Sequence, residues 1–165
     1  MLSVVTLLRE SKMYLVKPYI KVGWHEPSGT IVHCWNGFAT FEEILEVGKR
    51  TLAAVQQQHA TKVLYDTRTL EVLDDRSRDY ISGSFTIQMI RAGIHYSATV
   101  MPEDPFAQHS IQVIKERMER HLPERVKYFK TFNKAVDWLS GLSIAPNPKV
   151  KLPQHLRAVA MPPGL

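Results

Sequence analysis

Hydrophobic and polar positions alternate along two stretches in the first quarter of the chain. The stretches 14–25 and 30–35 are rich in β-branched and aromatic residues, and the turn residues of segment 26–29 join them. If His25 faces Thr30, the antiparallel register that follows places most of the large apolar side chains on one face. The alternation therefore predicts a β-hairpin.

Farther along, the spacing of apolar residues changes to that of an amphipathic helix. Thr40 followed by Glu43 forms a capping box at the start of this pattern. Asp104 ahead of Pro105 is typical of another helix start, and Thr131 is a third candidate cap. The first helical stripe consists of Phe41, Ile44, Leu45, Gly48, Leu52 and Val55.

Short apolar runs separate the helical patterns. Residues 62–66, 96–101 and 126–129 have the length and composition of buried strands. A less regular helical pattern covers 74–92, with Gly83 inside it. Strands that alternate with helices predict an α/β fold with a mixed, mainly parallel five-stranded sheet, an N-terminal hairpin and about four helices.

The composition divides the chain into three parts. Segment 1–12 is an apolar leader, 13–142 is the folded domain, and 143–165 is an extended, proline-rich basic tail. The tail holds three basic residues and no acidic ones, so most of the net charge of +5 lies there. Three charges among prolines are a weak signal, and we do not expect a nucleic-acid partner.

Other global properties narrow the class of protein. The 165 residues contain a single cysteine, Cys34, so no internal disulfide can form, which is typical of a reducing cytoplasm. No run approaches the roughly 20 apolar residues that a membrane-spanning helix needs, so we expect no membrane insertion. The start of the chain lacks the features of a signal peptide. These properties together favour a cytoplasmic protein.

Motifs for catalysis and metal binding do not occur in the sequence. It has no GxSxG elbow, no P-loop and no GxGxxG turn. Its seven histidines form no HxH, HxxxH or HExxH pattern, and Cys34 lies inside a predicted strand, where a thiol is usually inert. We therefore predict a protein that is not an enzyme and that uses no metal ion and no cofactor.

Four short segments, taken in order, resemble the STAS-like fold of bacterial anti-sigma-factor antagonists. They are Trp35-Asn36-Gly37-Phe38 and the runs 63–68, 98–104 and 132–139. The resemblance that they carry extends over roughly residues 13–140. More closely, they resemble the SpoIIAA-like branch of that family, whose shape is shared with lipid-binding domains of the CRAL-TRIO type. The resemblance implies a regulatory or interaction module.

Antagonists of this family are phosphorylated on a serine in an Asp-Ser-Ser-Gly-type turn. The matching segment here reads Asp66-Thr67-Arg68-Thr69-Leu70, without the serine pair or the glycine. The resemblance therefore does not carry the phosphorylation switch over to this chain. Thr67 and Thr69 remain candidate phosphate acceptors, and the alternative is that Asp66 and Arg68 pair with each other in a solvated turn.

The carboxyl ends of parallel strands are where open α/β sheets bind ligands. Helix N-termini meet at the same edge and favour anions. The leading hypothesis is therefore a non-catalytic module that binds a protein partner or a small anionic ligand at this edge and forms a homodimer. A less favoured hypothesis is an enzyme that acts on a small anionic substrate through Asp66 and Arg68. The candidate binding residues are Asp66, Thr67, Arg68, Thr69, Glu103 and Asp104.

The aromatic and flexible apolar residues give an alternative hypothesis, a carrier of an apolar small molecule or lipid. They are more numerous than a minimal core needs, which favours a pocket. The pocket would lie between the sheet and the helical segment 80–90, where Gly83 permits flexing. Its candidate residues are Trp35, Phe38 and Phe85.

Overall fold

One mixed β-sheet organises the computed structural model, which describes residues 3–142. The strands lie side by side in chain order; the first two pairings are antiparallel and the last three are parallel. The predicted tail, 143–165, lies outside the described residues. The strands are β1 Lys12–Lys17, β2 Ile20–His25, β3 Thr30–Gly37, β4 Lys62–Leu70, β5 Tyr96–Val100 and β6 Val126–Phe129.

Helices connect the parallel strands and cover both faces of the sheet. One turn of π-helix, Ile81–Phe85, joins two α-helical pieces into a continuous segment, which we call the α3–α4 segment. The α-helices are α1 Val4–Arg9, α2 Phe41–Gln58, α3 Asp75–Tyr80, α4 Thr86–Ala92, α5 Pro105–His121 and α6 Phe132–Ser140.

The predicted helix starts are confirmed. The Thr40 hydroxyl accepts a hydrogen bond from the Glu43 backbone N–H at 3.2 Å, and the Glu43 carboxylate accepts one from the Thr40 N–H at 2.7 Å. Asp104 caps α5 and Thr131 caps α6. These side chains fix the helix starts because they satisfy backbone N–H groups that have no partner within the helix.

The predicted α/β class and the mixed, mainly parallel sheet are confirmed, but the sheet has six strands among the described residues rather than five. The run 14–25 is divided at Pro18 and Tyr19, and β1 folds back along β2. Proline has no backbone N–H to donate across a sheet, so it interrupts the run. The predicted register between β2 and β3 is confirmed, with His25 opposite Thr30.

The N-terminal segment packs against the body of the domain. The sequence pattern does not predict α1, yet its Leu7 is buried against the sheet. A line of hydrogen bonds also ties the end of this segment to the hairpin turn. Glu10 Oε2 lies 3.0 Å from His25 Nε2, and His25 Nδ1 lies 2.6 Å from Ser28 Oγ.

Alternate strand positions form two apolar layers, one on each face of the sheet. On one face, Val32, Leu64 and Ala98 pack with α1 and α6. On the other face, α2, the α3–α4 segment and α5 cover the sheet. The second layer is incompletely filled, and the space inside it positions the candidate site.

Candidate ligand-binding cavity

A cavity of about 110 Å³ lies between the sheet and the helices that cover its second face. Strands β3 to β6 supply its floor, and α2, the α3–α4 segment and α5 supply its walls and roof. The lining is largely apolar. It includes Ile44, Val63, Leu73, Phe85, Met89 and Ile114.

Four polar residues cross the floor of the cavity in a single row. His33, Tyr65, Thr99 and Tyr128 lie opposite one another in register on β3, β4, β5 and β6, and all four line the cavity. Residues that are in register on neighbouring strands point to the same face, so the sheet itself aligns these side chains. We call these four residues the polar row.

The first member of the polar row, His33, is oriented by α2. Its Nε2 lies 2.8 Å from the Thr51 hydroxyl oxygen, and that hydroxyl donates to the Val47 carbonyl at 2.7 Å. Because the Thr51 hydrogen is used, His33 donates through Nε2–H and keeps the lone pair on Nδ1. No described residue donates to Nδ1. Burial lowers the pKa of His33 to about 3, so the ring is neutral at neutral pH.

The hydroxyl groups of the polar row are neutral and unused. Burial raises the pKa of Tyr65, and the neighbouring Tyr128 and Tyr80 add to the effect. Burial also raises the pKa of Tyr128. Within residues 3–142, the hydroxyls of Tyr65, Thr99 and Tyr128 form no hydrogen bond. An apolar cavity with unused hydroxyl groups suits a ligand that carries a polar group of its own.

Close contact between α2 and the α3–α4 segment fixes the roof of the cavity. The Tyr80 ring packs on Phe85, with the ring centres 5.8 Å apart. Gly48 of α2 leaves room for the Tyr80 hydroxyl, because a Cβ at this position would collide with it. Across the π-helical turn, the hydroxyl of Thr86, the first residue of α4, donates to the Ile81 carbonyl at 2.7 Å. These contacts join α2 to the α3–α4 segment, and the cavity lies beneath them.

The predicted pair at the sheet edge, Asp66 and Arg68, lies in a strand rather than in a turn. Strand β4 continues to Leu70 because, past a bulge, its backbone goes on pairing with the end of β3. The Arg68 guanidinium donates to both Asp66 carboxylate oxygens, at 3.0 and 2.8 Å, and lies 5.4 Å from the Phe132 ring centre. The hydrogen bond to Asp66 raises the pKa of Arg68. The two side chains thus satisfy each other.

The two candidate phosphate acceptors differ in their exposure. Thr67 is buried at the cavity, and its hydroxyl donates to the Val100 carbonyl at 2.6 Å. Thr69 is exposed, and its hydroxyl donates to the Trp35 carbonyl at 3.0 Å. A kinase would therefore reach Thr69 without local opening of the sheet, whereas Thr67 is covered.

Glu103 and Asp104 order the turn that follows β5. The Glu103 backbone N–H donates to the Arg68 carbonyl at 3.1 Å, which joins this turn to β4. Asp104 accepts from the Ala107 N–H at 2.9 Å as the cap of α5. The structure therefore brings the predicted edge residues together, with most of their polar groups engaged within the chain.

Two of the three residues predicted for an apolar pocket lie at the cavity. Trp35 and Phe85 line it, whereas Phe38 lies outside it and is 52% exposed. Gly37, which precedes Phe38, has a φ of 70°, and this left-handed conformation turns the chain at the end of β3. The turn places Phe38 at the carboxyl edge of the sheet instead of under the helices.

Other candidate chemistry is limited in the part of the chain that the structure describes. Burial, followed by the nearby Asp66 carboxylate, raises the pKa of the Cys34 thiol to about 12. No group of three or more His, Cys, Asp or Glu side chains lies together within residues 3–142 in a way that suits a metal ion. Nor does any helix in this range have the length and apolarity needed to cross a membrane.

Sequence reasoning misses most of the polar row. Tyr65, Thr99 and Tyr128 each occupy the middle of an apolar strand, where they are ordinary strand residues. His33 is interpreted from the sequence as a satisfied histidine beside Val22; in the structure one ring nitrogen is bonded and the other is not. The sequence does show one such polar residue in each of four strands. Only the register between the strands, which the structure supplies, shows that these residues form a row.

Comparison with known proteins finds a similarity to solved structures. No family model matches this chain, and no curated protein matches it either. Among solved structures, it is similar to the anti-sigma factor antagonist SpoIIAA in its unphosphorylated form, with a TM-score of 0.47 and 14% identity over 80% of this chain and 99% of that chain. This similarity concerns the arrangement of strands and helices alone.

Proposed function

We propose that this protein binds a small, mainly apolar molecule in the cavity between the sheet and the α3–α4 segment. The observation that supports this proposal is the polar row: His33 Nδ1 is fully buried and has no partner among the described residues, and the three hydroxyls beside it form no hydrogen bond within residues 3–142. Buried polar groups are costly when they form no hydrogen bond, and native proteins keep few of them. A polar group on the ligand would supply the missing bonds.

The volume of the cavity limits the size of the ligand. The cavity holds about 110 Å³, whereas an engineered apolar cavity of roughly 150 Å³ in another protein holds benzene. The cavity is therefore smaller than one that holds a single ring, so a short aliphatic chain matches its volume best, and a ring or a longer lipid would require the roof to open. Gly83 in the π-helical turn, with no atom within 4 Å of its Cβ direction, gives the roof room to move.

Binding is tested by thermal unfolding of the protein in the presence of benzyl alcohol or 1-hexanol. A ligand that binds the folded state alone stabilises it, so we expect Tm to rise with the concentration of the probe. Thr99→Phe should abolish the rise, because the ring would occupy the cavity. Thr69→Phe makes the same change on an exposed strand position and should leave the rise intact.

Two results would contradict the proposal. If neither probe raises Tm in the unmodified protein, the cavity does not bind molecules of this size and polarity. If Thr99→Phe shows the same rise as the unmodified protein, the probes bind elsewhere. Native mass spectrometry of the freshly purified protein provides an independent readout, because a ligand carried through purification would add a mass that is lost on denaturation.

Exposed apolar side chains support a second proposal, a surface for a protein partner at the carboxyl edge of the sheet. Phe38, Val72 and Phe106 are 52%, 47% and 75% exposed. Phe38 and Val72 lie in the loops that follow β3 and β4, and Phe106 lies in the first turn of α5. The Glu71 N–H donates to the Gly37 carbonyl at 2.9 Å, which joins the first two of these segments. Large apolar side chains in neighbouring exposed loops are typical of interaction surfaces.

The partner surface is tested by comparing two serine variants. Phe106→Ser should weaken capture of the partner and any self-association measured by sedimentation velocity. Val5→Ser removes an exposed side chain, at 54%, from α1, outside these three segments, and should change neither. Equal behaviour of the two variants would exclude this edge as the interface.

A further inference from the structure

Charge is distributed very unevenly in the cavity. Among the described residues that line it, there is no aspartate, glutamate or lysine, and Arg125 carries the sole permanent charge. Arg125 precedes β6 and lies at the end of the cavity formed by the starts of β5 and β6. An otherwise neutral cavity therefore has one positively charged end.

The backbone holds the Arg125 side chain in a fixed orientation. Its Nε–H donates to the His95 carbonyl and its Nη2 donates to the Ile94 carbonyl, both at 2.9 Å. These two bonds use one edge of the planar guanidinium group. Nη1 and the second hydrogen of Nη2 form the other edge, and within residues 3–142 they have no hydrogen-bond acceptor.

The surroundings of Arg125 do not neutralise its charge. No carboxylate of the described residues forms an ion pair with it, and of the nearby groups only the Tyr96 hydroxyl raises its pKa, which burial lowers. Burial and then Arg125 itself lower the pKa of His95, which also lines this end. The end of the cavity is thus electropositive and lacks a counter-charge. A partly buried guanidinium without a counter-charge favours an anion.

We propose that the ligand is a small monocarboxylic acid whose carboxylate binds the free edge of Arg125 and whose apolar part lies over the polar row. This inference rests on the proposed function, because it names the chemical class of the ligand in the same cavity. Two parallel N–H groups of a guanidinium match the two oxygens of a carboxylate, and such charge-assisted bonds are about twice as strong as neutral ones. The largely apolar lining admits a hydrocarbon chain or ring but no second charge.

The geometry also orients the ligand. Val126 follows Arg125 and lies opposite Ser97, two pairs before the Thr99 and Tyr128 level of the polar row. A carboxylate at Arg125 therefore directs the rest of a short acid along the floor toward these hydroxyls. An acid with a hydroxyl or carbonyl group on its far part would use the polar row as well.

The test compares three probes of the same chain length, hexanoate, hexanamide and 1-hexanol, by calorimetry on the full chain near neutral pH. We expect hexanoate to bind about tenfold more tightly than either neutral probe, as one charge-assisted pair predicts. Arg125→Met keeps the length of the side chain without its charge and should remove this preference while leaving hexanol binding in place. Arg125→Lys keeps the charge and should retain part of the preference.

A second measurement on the unmodified protein covers the case in which Arg125→Met does not fold. The side-chain ¹⁵Nε resonance of Arg125 should shift on addition of hexanoate and remain in place with 1-hexanol at equal saturation. No shift with hexanoate would overturn the inference, whatever the variant does.

The outcomes separate this inference from the proposed function. If all three probes bind with equal affinity, the cavity is a binding site and the carboxylate assignment is wrong. If hexanoate keeps its advantage in Arg125→Met, another group recognises the carboxylate and the assignment is again wrong. If no probe binds, the proposed function fails and the inference fails with it.

Discussion

His33 illustrates how one buried side chain links sequence, stability and the site. It is 1% exposed, bonded to Thr51 through Nε2 and unbonded at Nδ1 among the described residues. Its neighbour on the strand, Cys34, points to the opposite face, as the alternation of a strand predicts. His33 therefore lines the cavity, and Cys34 does not, because the two side chains point to opposite faces of the sheet.

Stability should depend on pH through His33. The pKa of this imidazole is lowered from 6.5 to about 3 in the folded state, so between these values the unfolded chain binds the extra proton. The free energy of unfolding therefore rises with pH across this range, and it falls as the solution is acidified, by up to about 1.4 kcal/mol per pH unit. Urea unfolding at a series of pH values measures this slope.

His33→Gln should flatten that slope, since glutamine keeps a donor for Thr51 and does not titrate. His109→Gln is the matched control, because His109 is exposed on α5 and its replacement should leave the slope unchanged. If both variants keep the slope of the unmodified protein, His33 accepts a proton in the folded state and the cavity is wetter than its lining implies.

At the scale of elements, the contact between α2 and α3 depends on a glycine that the sequence pattern treats as part of an apolar stripe. Gly48 is buried in the middle of α2, where glycine is a poor helix former. Its cost is offset because the Tyr80 hydroxyl occupies the space that a Cβ would need. The capping residues of the helices are local and were predictable, whereas this contact joins residues 32 positions apart and was not.

Gly48→Ala should destabilise the protein by about 1–3 kcal/mol, because the new methyl group displaces Tyr80 from a packed position. Gly83→Ala is the control: no atom lies within 4 Å of its Cβ direction, and alanine should be neutral or stabilise the helical segment by about 0.4–1 kcal/mol. Chemical denaturation of both variants measures the difference. Equal stabilities would show that Tyr80 moves aside without cost.

The π-helical turn is a second feature that only the structure reveals. The sequence places Gly83 inside an irregular helical pattern, and the structure shows a wider turn there, with the Thr86 hydroxyl bonded to the carbonyl five residues earlier. Turns of this kind are frequent at functional sites. Its position over the cavity agrees with the proposed opening of the roof.

At the scale of the whole molecule, the cavity depends on how the helices are distributed over the two faces of the sheet. The face covered by α1 and α6 packs into an apolar cluster, and the face covered by α2, the α3–α4 segment and α5 retains about 110 Å³. Empty internal volume is lost on unfolding, so pressure should favour the unfolded state.

Unfolding under pressure should therefore show a volume decrease on the order of tens of mL/mol, and Thr99→Phe should reduce its magnitude by filling the cavity. Trp35, which lines the cavity, provides a fluorescence signal for the transition. Thr69→Phe, outside the cavity, should behave as the unmodified protein. An unchanged volume decrease in Thr99→Phe would show that the added ring does not occupy the cavity.

The sequence by itself determined the α/β class, the caps of α2, α5 and α6, and the register of the β2–β3 hairpin. These features depend on residues that are near one another in the chain, so periodicity and turn chemistry specify them. The sixth strand could also have been predicted from Pro18. Proline lacks the backbone N–H, so it interrupts a run that otherwise has the composition of one strand and divides it into β1 and β2.

The tertiary structure alone decided the site. His33, Tyr65, Thr99 and Tyr128 are separated by between 29 and 34 residues along the chain, and only parallel pairing in one register makes them a row. The role proposed for Arg125 also depends on tertiary structure, because the side chains that surround it in the fold include no counter-charge. Local sequence rules fix which residues form strands; the packing of whole elements fixes which polar groups meet in an enclosed space and which remain without a partner.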